Sequence, residues 1–318
     1  MSEGSSSDGS SSDSGLEGIT EVYTADEILR IGLLLVHYRR KRIKNCKKAR
    51  NIERFKSHYG AKPGVVASVF SDLQRTHLLP IGKRNIRHLL MAFHTLMRYP
   101  TNDEREALFD IGKHEAADIT WEFVRWIQAL KPYKILCPPA TENDEIWAIT
   151  VDGVHFWIKE PSHPEWSLDL THYSHKYNKA GLCYELGISL TGGLVWMKGP
   201  FRAGMSDLKI FVEEGLKEKL KSVKMKAIAD GGYFAQEHKN YLSTPNGHDD
   251  RSVKKFKSRA LKRHEKFNGR IKVFESLSGR FRHGKKTFAS CVEAICVICQ
   301  YDLEQGNPLY DILIEDII

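Results

Sequence analysis

The stretch IWAITVDGVHFWI, Ile146 to Ile158, decides the fold class, because its β-branched and aromatic residues are typical of a strand. Two further runs, CYELGISLT and GLVWMKGP, have a similar composition and follow segments that contain Gly, Asp and Asn. SDLKIFVEEGLKEKL then returns to helical spacing, and KMKAIAD predicts another strand before further helices. Three strands, a helix, a strand and helices predict an α/β domain, which we place at residues 146–318.

Two aspartates end predicted strands of this domain. Asp152 closes the apolar run ITVD, and Asp230 closes KMKAIAD, where Gly231 and Gly232 follow it. DG and DGG are common turn sequences, so either carboxylate could cap a turn. Because an unpaired buried carboxylate is costly, the alternative is that a bound cation neutralises both. Hard divalent cations such as Mg²⁺ take oxygen ligands of this kind.

A third acid lies in a strongly basic segment with helical spacing. KKFKSRALKRHEKFNGRIK, Lys254 to Lys272, contains nine Lys or Arg and one acid, Glu265. Three carboxylates from separate elements, with a basic surround for the phosphates, suit two-metal cleavage of a phosphodiester. The basic composition also favours contact with backbone phosphates. The candidate DNA-contacting residues of this segment are Arg259, Lys262, Arg263, Lys266, Arg270 and Lys272.

The chain before this domain has a different character. Residues 1–18, MSEGSSSDGSSSDSGLEG, are of low complexity and predict a disordered tail. Residues 19–135 predict a helical, DNA-binding-like region with a basic segment at 39–56. RRKRIKNCKKAR, residues 39–50, has eight Lys or Arg and no acid, which fits a nuclear-localisation signal, a DNA-contacting arm or a solvated helix face. The candidate DNA-contacting residues there are Arg39, Arg40, Lys41 and Arg42.

One pair of predicted helices in this region is compatible with a helix-turn-helix. REALFDIG is followed directly by KHEAADITWEFVRWI, with Gly112 at the tight turn between them. Any two-helix hairpin gives the same pattern, so simple packing is favoured over a DNA-reading role. The Pro-rich segment at residues 131–145 predicts a linker to the α/β domain.

Composition indicates which classes of partner to expect and whether the cysteines form a metal or redox site. A net charge of +8 over 318 residues favours polyanions as partners. Apolar runs are shorter than the roughly 18 residues that a membrane span requires, so we expect no membrane partner. Cys296 and Cys299 form a CxxC without a second pair, and they lie in a stretch of helical apolar spacing, so buried thiols are favoured over a metal or redox site.

Residues 146–283 resemble the nuclease domain of a DDE-superfamily transposase, of the PIF/Harbinger-like endonuclease kind. The matching segments are ITVDGVHF around Asp152, GPFRAGMSDLKIF, IADGGYF around Asp230, and RALKRHEKFNGRIKVFESLSGRFRH around Glu265. Glu265 follows Asp230 by 35 positions, close to the spacing that such domains favour. The resemblance implies an RNase H-like nuclease core, with a mixed central sheet flanked by helices, preceded by an all-α helix-turn-helix-like region.

The resemblance also implies an activity and a site. Asp152, Asp230 and Glu265 would be the catalytic and metal-ligating residues of a DNA endonuclease or transposase, with two Mg²⁺ or Mn²⁺ ions. Asp152 would bridge both ions, and the other two acids would each hold one. The implied partners are DNA, a second copy of the chain on DNA and a helper DNA-binding protein, and the implied location is the nucleus. The alternative is a transposon-derived DNA-binding protein without catalytic activity.

Three nearby residues compete for roles in the site. Glu275 lies ten positions after Glu265, which on a continuous helix turns it about 80° away, so Glu265 is preferred as the third acid. Asp207, near the start of a predicted helix, is expected to stabilise the helix dipole rather than act as a fourth acid. His155 follows Asp152 by three positions and is expected on the other face of the strand. The segment STPNGHDDRS, residues 243–252, shows no clear strand pattern.

Overall fold

The computed structural model describes residues 21–80, 85–137, 147–158, 170–174 and 178–312. The predicted tail at residues 1–18 lies outside these ranges. Helices occupy the region before the sheet, as predicted, and capping boxes begin two of them at Thr24 and Thr101. The helices are α1 Ala25–Leu35, α2 Arg40–Lys44, α3 Lys48–Tyr59, α4 Pro63–Arg75, α5 Ile86–Arg98, α6 Asn102–Phe109, α7 Lys113–Ala129 and α8 Lys131–Lys134.

A mixed sheet forms the centre of the second region. Its order is β2-β3-β1-β5-β6, and β4 pairs with β3. β1 is antiparallel to β3, whereas β1 with β5 and β5 with β6 are parallel pairs. This arrangement confirms the predicted α/β fold with a mixed central sheet. The strands are β1 Ile149–Trp157, β2 Tyr173–Ser174, β3 Lys179–Ser189, β4 Leu194–Arg202, β5 Ala227–Ile228 and β6 Leu242–Ser243.

Helices cover both faces of β1, and its residues alternate between them. Ile149 and Val151 pack with Phe211 and Leu216 on one face. Thr150 lies on the other face, where its hydroxyl is 2.9 Å from His264 Nδ1. The helices of this region are α9 Asp207–Glu213, α10 Leu216–Ser222, α11 Arg251–Ile271, α12 Glu275–Ser278 and α13 Lys285–Glu304.

Sequence patterns missed two local features of this region. The last strand, β6, extends by one residue into the segment at residues 243–252, in which no strand was expected, and it pairs with β5 over only two residues. Such a short strand carries no alternation, so only its parallel neighbour reveals it. The basic helix also ends at Ile271 rather than continuing to Glu275, which begins the separate helix α12.

α13 joins the helical region to the sheet region. One hydrophobic cluster contains α1, α3–α5 and α7 residues together with α13 and the β1 residues Val154 and Phe156. Polar contacts also cross the junction: the Tyr301 hydroxyl donates to Asp72 Oδ2 at 2.5 Å, and Gln128 Nε2 donates to Glu293 Oε2 at 3.2 Å. Helices of both regions therefore pack into a single core. The division at residues 135–146 stays a prediction.

The thiols of α13 are buried, as the spacing indicated. Cys296 has no exposed surface, Cys299 is 5% exposed, and neither forms a disulfide. In the described part of the chain, the helices are too short or too polar for any of them to cross a bilayer.

The buried His94 of α5 should make stability depend on pH. Burial is the main cause that lowers its pKa to about 3, and the nearby His58, Arg98 and Arg105 lower it further. The unfolded chain takes up this proton near pH 6.5 and the folded chain does not, so stability is lost as pH falls below 6.5. We expect about 2 kcal/mol less stability at pH 5 than at pH 7.5 from this group.

Urea unfolding of the whole chain at both pH values measures this effect. His264, whose pKa burial also lowers to about 3, should add a similar contribution, so His94→Gln should reduce the measured difference by about 2 kcal/mol without abolishing it. His114→Gln, at an exposed position of α7, should leave the difference in place. An unchanged pH difference in His94→Gln would show that other groups cause it.

Candidate functional site

Asp152 lies where β1 extends beyond its parallel neighbour. The pairing of β1 with β5 ends at Thr150, two residues before it, while Asp152 still pairs with Leu186 of β3. Its carboxylate points to the face that α11 covers, and Asn268 Nδ2 of that helix donates to Asp152 Oδ2 at 2.9 Å. The basic helix therefore contacts the first predicted acid directly.

Asp230 lies at the same edge of the sheet. It follows β5 by two residues, and parallel strands present their carboxyl ends on one edge. Its side chain is exposed, and its Oδ1 accepts a hydrogen bond from Gly232 N at 2.9 Å. The turn-capping interpretation therefore holds for one oxygen of Asp230, which does not prevent the carboxylate from binding a cation.

Glu265 lies on α11 one turn before Asn268. Three residues turn a helix by about 300°, so Glu265 is about 60° from the position that contacts Asp152. Its side chain is exposed. Its role as the third acid stays a prediction. The competitor Glu275 has a structural role, because its Oε1 pairs with Arg98 Nη1 at 2.6 Å.

Asp207 approaches this edge from the opposite face of β1. It is the first residue of α9, as its predicted dipole role requires, behind the N-cap Ser206. A Cβ atom added to Gly153 would lie 2.3 Å from Asp207 Oδ1, so a larger residue there would displace the Asp207 carboxylate. A Cβ on Gly232 would lie 3.7 Å from Asp207 Oδ2 and 3.1 Å from Asp230 Oδ1. The carboxylates of Asp207 and Asp230 therefore border the same glycine.

His155 and Cys183 complete a group around Asp207. His155 lies on the face of β1 opposite Asp152, as expected, and it pairs with Cys183 of β3. One possible ligand atom from each of His155, Cys183 and Asp207 lies within 4.8 Å of the other two. Sequence reasoning missed this group because strand pairing and the packing of α9 bring it together. The sequence did contain one indication: Gly153 and His155 are two residues apart, so their side-chain positions lie on the same face of the strand.

Acidic side chains also lie beneath this edge. Glu185 of β3 is fully buried, and burial raises its pKa to about 8; Asp207 and Glu214 raise it further, against a hydrogen bond from Trp196 that lowers it. The pKa of the buried Tyr233 is raised well above its usual range, first by burial and then by Glu185, Asp207 and Asp152. Acidic side chains of β1, β3 and α9 therefore lie around one buried hydroxyl.

The prediction that Arg263 contacts DNA is wrong, because its side chain is buried. Arg263 is 1% exposed, and its guanidinium donates to Leu190 O at 2.8 Å and to Ser189 O at 2.6 Å. These hydrogen bonds connect α11 to the turn between β3 and β4. The guanidinium therefore cannot contact DNA. Arg270 is also largely engaged, since it donates to Asn307 O at 2.6 Å and to Pro308 O at 3.1 Å.

The other predicted cations are more accessible. Arg259 is half-buried, and its backbone carbonyl accepts from the Tyr310 hydroxyl at 2.7 Å. On the N-terminal side, α2 has no buried residue, and Arg42 lies 5.3 Å from the Tyr38 ring centroid. The exposed members of the predicted set are Lys262, Lys266, Lys272, Arg39, Arg40, Lys41 and Arg42.

Comparison with protein families matches residues 151–300 to the model described as DDE superfamily endonuclease. The curated proteins and the solved structures give no significant match to the chain. The matched segment begins just before Asp152 and includes Asp230, Glu265 and α11. It therefore contains each of the acids that the sequence predicted for the site.

Proposed function

We propose that this protein cleaves DNA phosphodiester bonds by a two-metal-ion mechanism, because residues 151–300 match the family described as DDE superfamily endonuclease. Within the superfamily we assign it to the PIF/Harbinger-like kind. The observation that supports the proposal best is the contact between Asp152 and Asn268, which brings the basic helix to the strand that carries the first acid.

Asp152, Asp230 and Glu265 are the residues that would hold the ions, which we take to be Mg²⁺ or Mn²⁺. Their oxygens fit hard cations. Bound ions would activate the attacking water and stabilise the departing 3′ oxygen. Asn268 orients Asp152 by donating to its Oδ2, so the carboxylate is held in one rotamer before any ion arrives.

DNA would lie across the exposed cations of α11 and of the N-terminal basic segment. Lys262 and Lys266 lie four residues apart on one side of α11 and are both exposed, so they can contact successive phosphates. Such contacts give affinity that depends strongly on salt and little on sequence. We further propose nuclear location through the segment at residues 39–50, assembly of two copies on DNA, and a helper DNA-binding protein.

A nicking assay tests the proposed activity. We expect the full chain to nick supercoiled plasmid or terminal-repeat DNA in Mg²⁺ or Mn²⁺, and to leave it intact in EDTA. Binding should be followed in Ca²⁺ by fluorescence anisotropy. Binding without metal-dependent nicking would contradict the proposal and favour a DNA-binding protein that has lost catalysis.

A further inference from the structure

The group formed by His155, Cys183 and Asp207 differs chemically from the three predicted acids. It offers nitrogen, sulfur and oxygen atoms within 4.8 Å of one another, on the face of β1 opposite Asp152. Zn²⁺ is bound by this set of donors, whereas Mg²⁺ requires oxygen ligands. We propose that these three residues bind Zn²⁺ or a similar borderline divalent cation, at a site separate from the one that would cleave DNA.

Gly153 provides space for the group. A Cβ at this position would lie 2.3 Å from Asp207 Oδ1 and 3.4 Å from Cys183 Sγ. Because Gly153 has no side chain, space remains between the Asp207 carboxylate and the Cys183 sulfur. Three separate elements meet there, because His155 belongs to β1, Cys183 to β3 and Asp207 to α9.

A buried acid beside the group provides a second, independent indication. Glu185 follows Cys183 by two residues on the same face of β3, and it pairs in register with Gly153. It has no exposed surface, and among the described residues its Oε1 has no hydrogen-bond partner. An unsatisfied buried oxygen is costly, and a bound cation or its water ligand would satisfy it.

The present distances require only a small adjustment. Bond lengths of about 2.0–2.3 Å in a tetrahedral site place ligand atoms roughly 3.3–3.8 Å apart, so a maximum of 4.8 Å must shorten by about 1 Å. His155 and Asp207 are half-buried and Cys183 is fully buried, so the cation would enter from the side of the first two and meet the sulfur last.

The bound cation would stabilise the packing of α9 on the sheet. It would connect α9 to the antiparallel pair β1 and β3, directly behind the strand position that carries Asp152. Because a ligand that binds only the folded chain stabilises it, the melting temperature should rise with Zn²⁺ concentration.

Cobalt spectroscopy on the full chain tests the site. The background should be Cys46→Ser with Cys137→Ser, since these are the partly exposed cysteines and the other four are buried. After metal is removed, titration with Co²⁺ should give a sulfur-to-cobalt charge-transfer band that saturates at one equivalent. Zn²⁺ should displace the cobalt, because it binds such ligands more tightly, and Mg²⁺ should not.

Variants identify the ligands. Cys183→Ser should abolish the sulfur band, and His155→Gln should weaken Co²⁺ binding at least tenfold, since even outer-sphere partners change metal affinity by about 10–100-fold. Asp152→Asn should keep the band, which separates this proposal from the nuclease proposal. The Zn²⁺ site is ruled out if the parent chain shows no band or if Cys183→Ser retains it. Should Cys183→Ser fail to fold by circular dichroism, unchanged affinity in His155→Gln overturns the proposal.

Discussion

Replacing Asp152 by asparagine should lower metal-dependent DNA cleavage by at least about 1,000-fold, which corresponds to roughly 4 kcal/mol of transition-state stabilisation. The substitution removes the negative charge that would hold the ions and keeps the size of the side chain. An amide oxygen can still accept the hydrogen bond from Asn268, so the packing of β1 against α11 should be preserved. The expected loss is therefore chemical rather than structural.

Two measurements distinguish a loss of catalysis from a loss of structure in Asp152→Asn. Nicking rates in Mn²⁺ report the chemistry, and DNA binding in Ca²⁺ should stay within about threefold of the parent chain, because phosphate contacts supply most of the affinity. Asp103→Asn is the matched control, since Asp103 is an exposed acid of α6 that pairs only loosely with Lys113, at 3.6 Å. Equal nicking by Asp152→Asn and the parent chain would disprove the assigned role.

Arg263→Ala is expected to reduce the free energy of unfolding by about 3–4 kcal/mol, because two carbonyls lose their donors and a cavity replaces the guanidinium. The buried Arg263 reaches across from α11 to Ser189 and Leu190, at the turn between β3 and β4. Urea unfolding followed by circular dichroism measures the loss.

The exposed neighbour Lys262 provides the contrast. Lys262→Ala should change stability by no more than about 0.5 kcal/mol. Since it removes one proposed phosphate contact, it should weaken DNA binding and reduce the salt dependence of log K by about one. If Arg263→Ala instead kept its stability and lost DNA affinity, the structural role of Arg263 would be refuted.

Local patterns were sufficient for the layout of the fold and for part of the site. Apolar spacing located the helices, and β-branched runs located β1, β3 and β4. Asp152 was predicted to end its strand, which is wrong: it is the fourth residue of the nine-residue β1, which continues to Trp157. The burial of Arg263 could also have been predicted from the sequence. Arg263 lies seven residues after Phe256 and four before Phe267, within the stripe that α11 buries. Its charge obscured that spacing.

Contacts between distant segments explain what the patterns missed. Cys183 and His155 become neighbours only through the register of β3 with β1, and Asp207 joins them only because α9 packs on that face. Nothing in the separate stretches encodes these pairings locally. The two-residue strand β6 is similar, since it exists through its parallel alignment with β5.

The packing of α13 has a consequence for where DNA would be cut. Tyr301 and Glu293 of this helix bond to Asp72 of α4 and Gln128 of α7, so these helices and β1 share one continuous core, and α2 packs against that core through the partly buried Ile43. DNA held at α2 would then reach the acids at a constant distance along its axis. The number of base pairs between the contacted sequence and the cleaved bond would be a property of the protein, unchanged by the sequence in between.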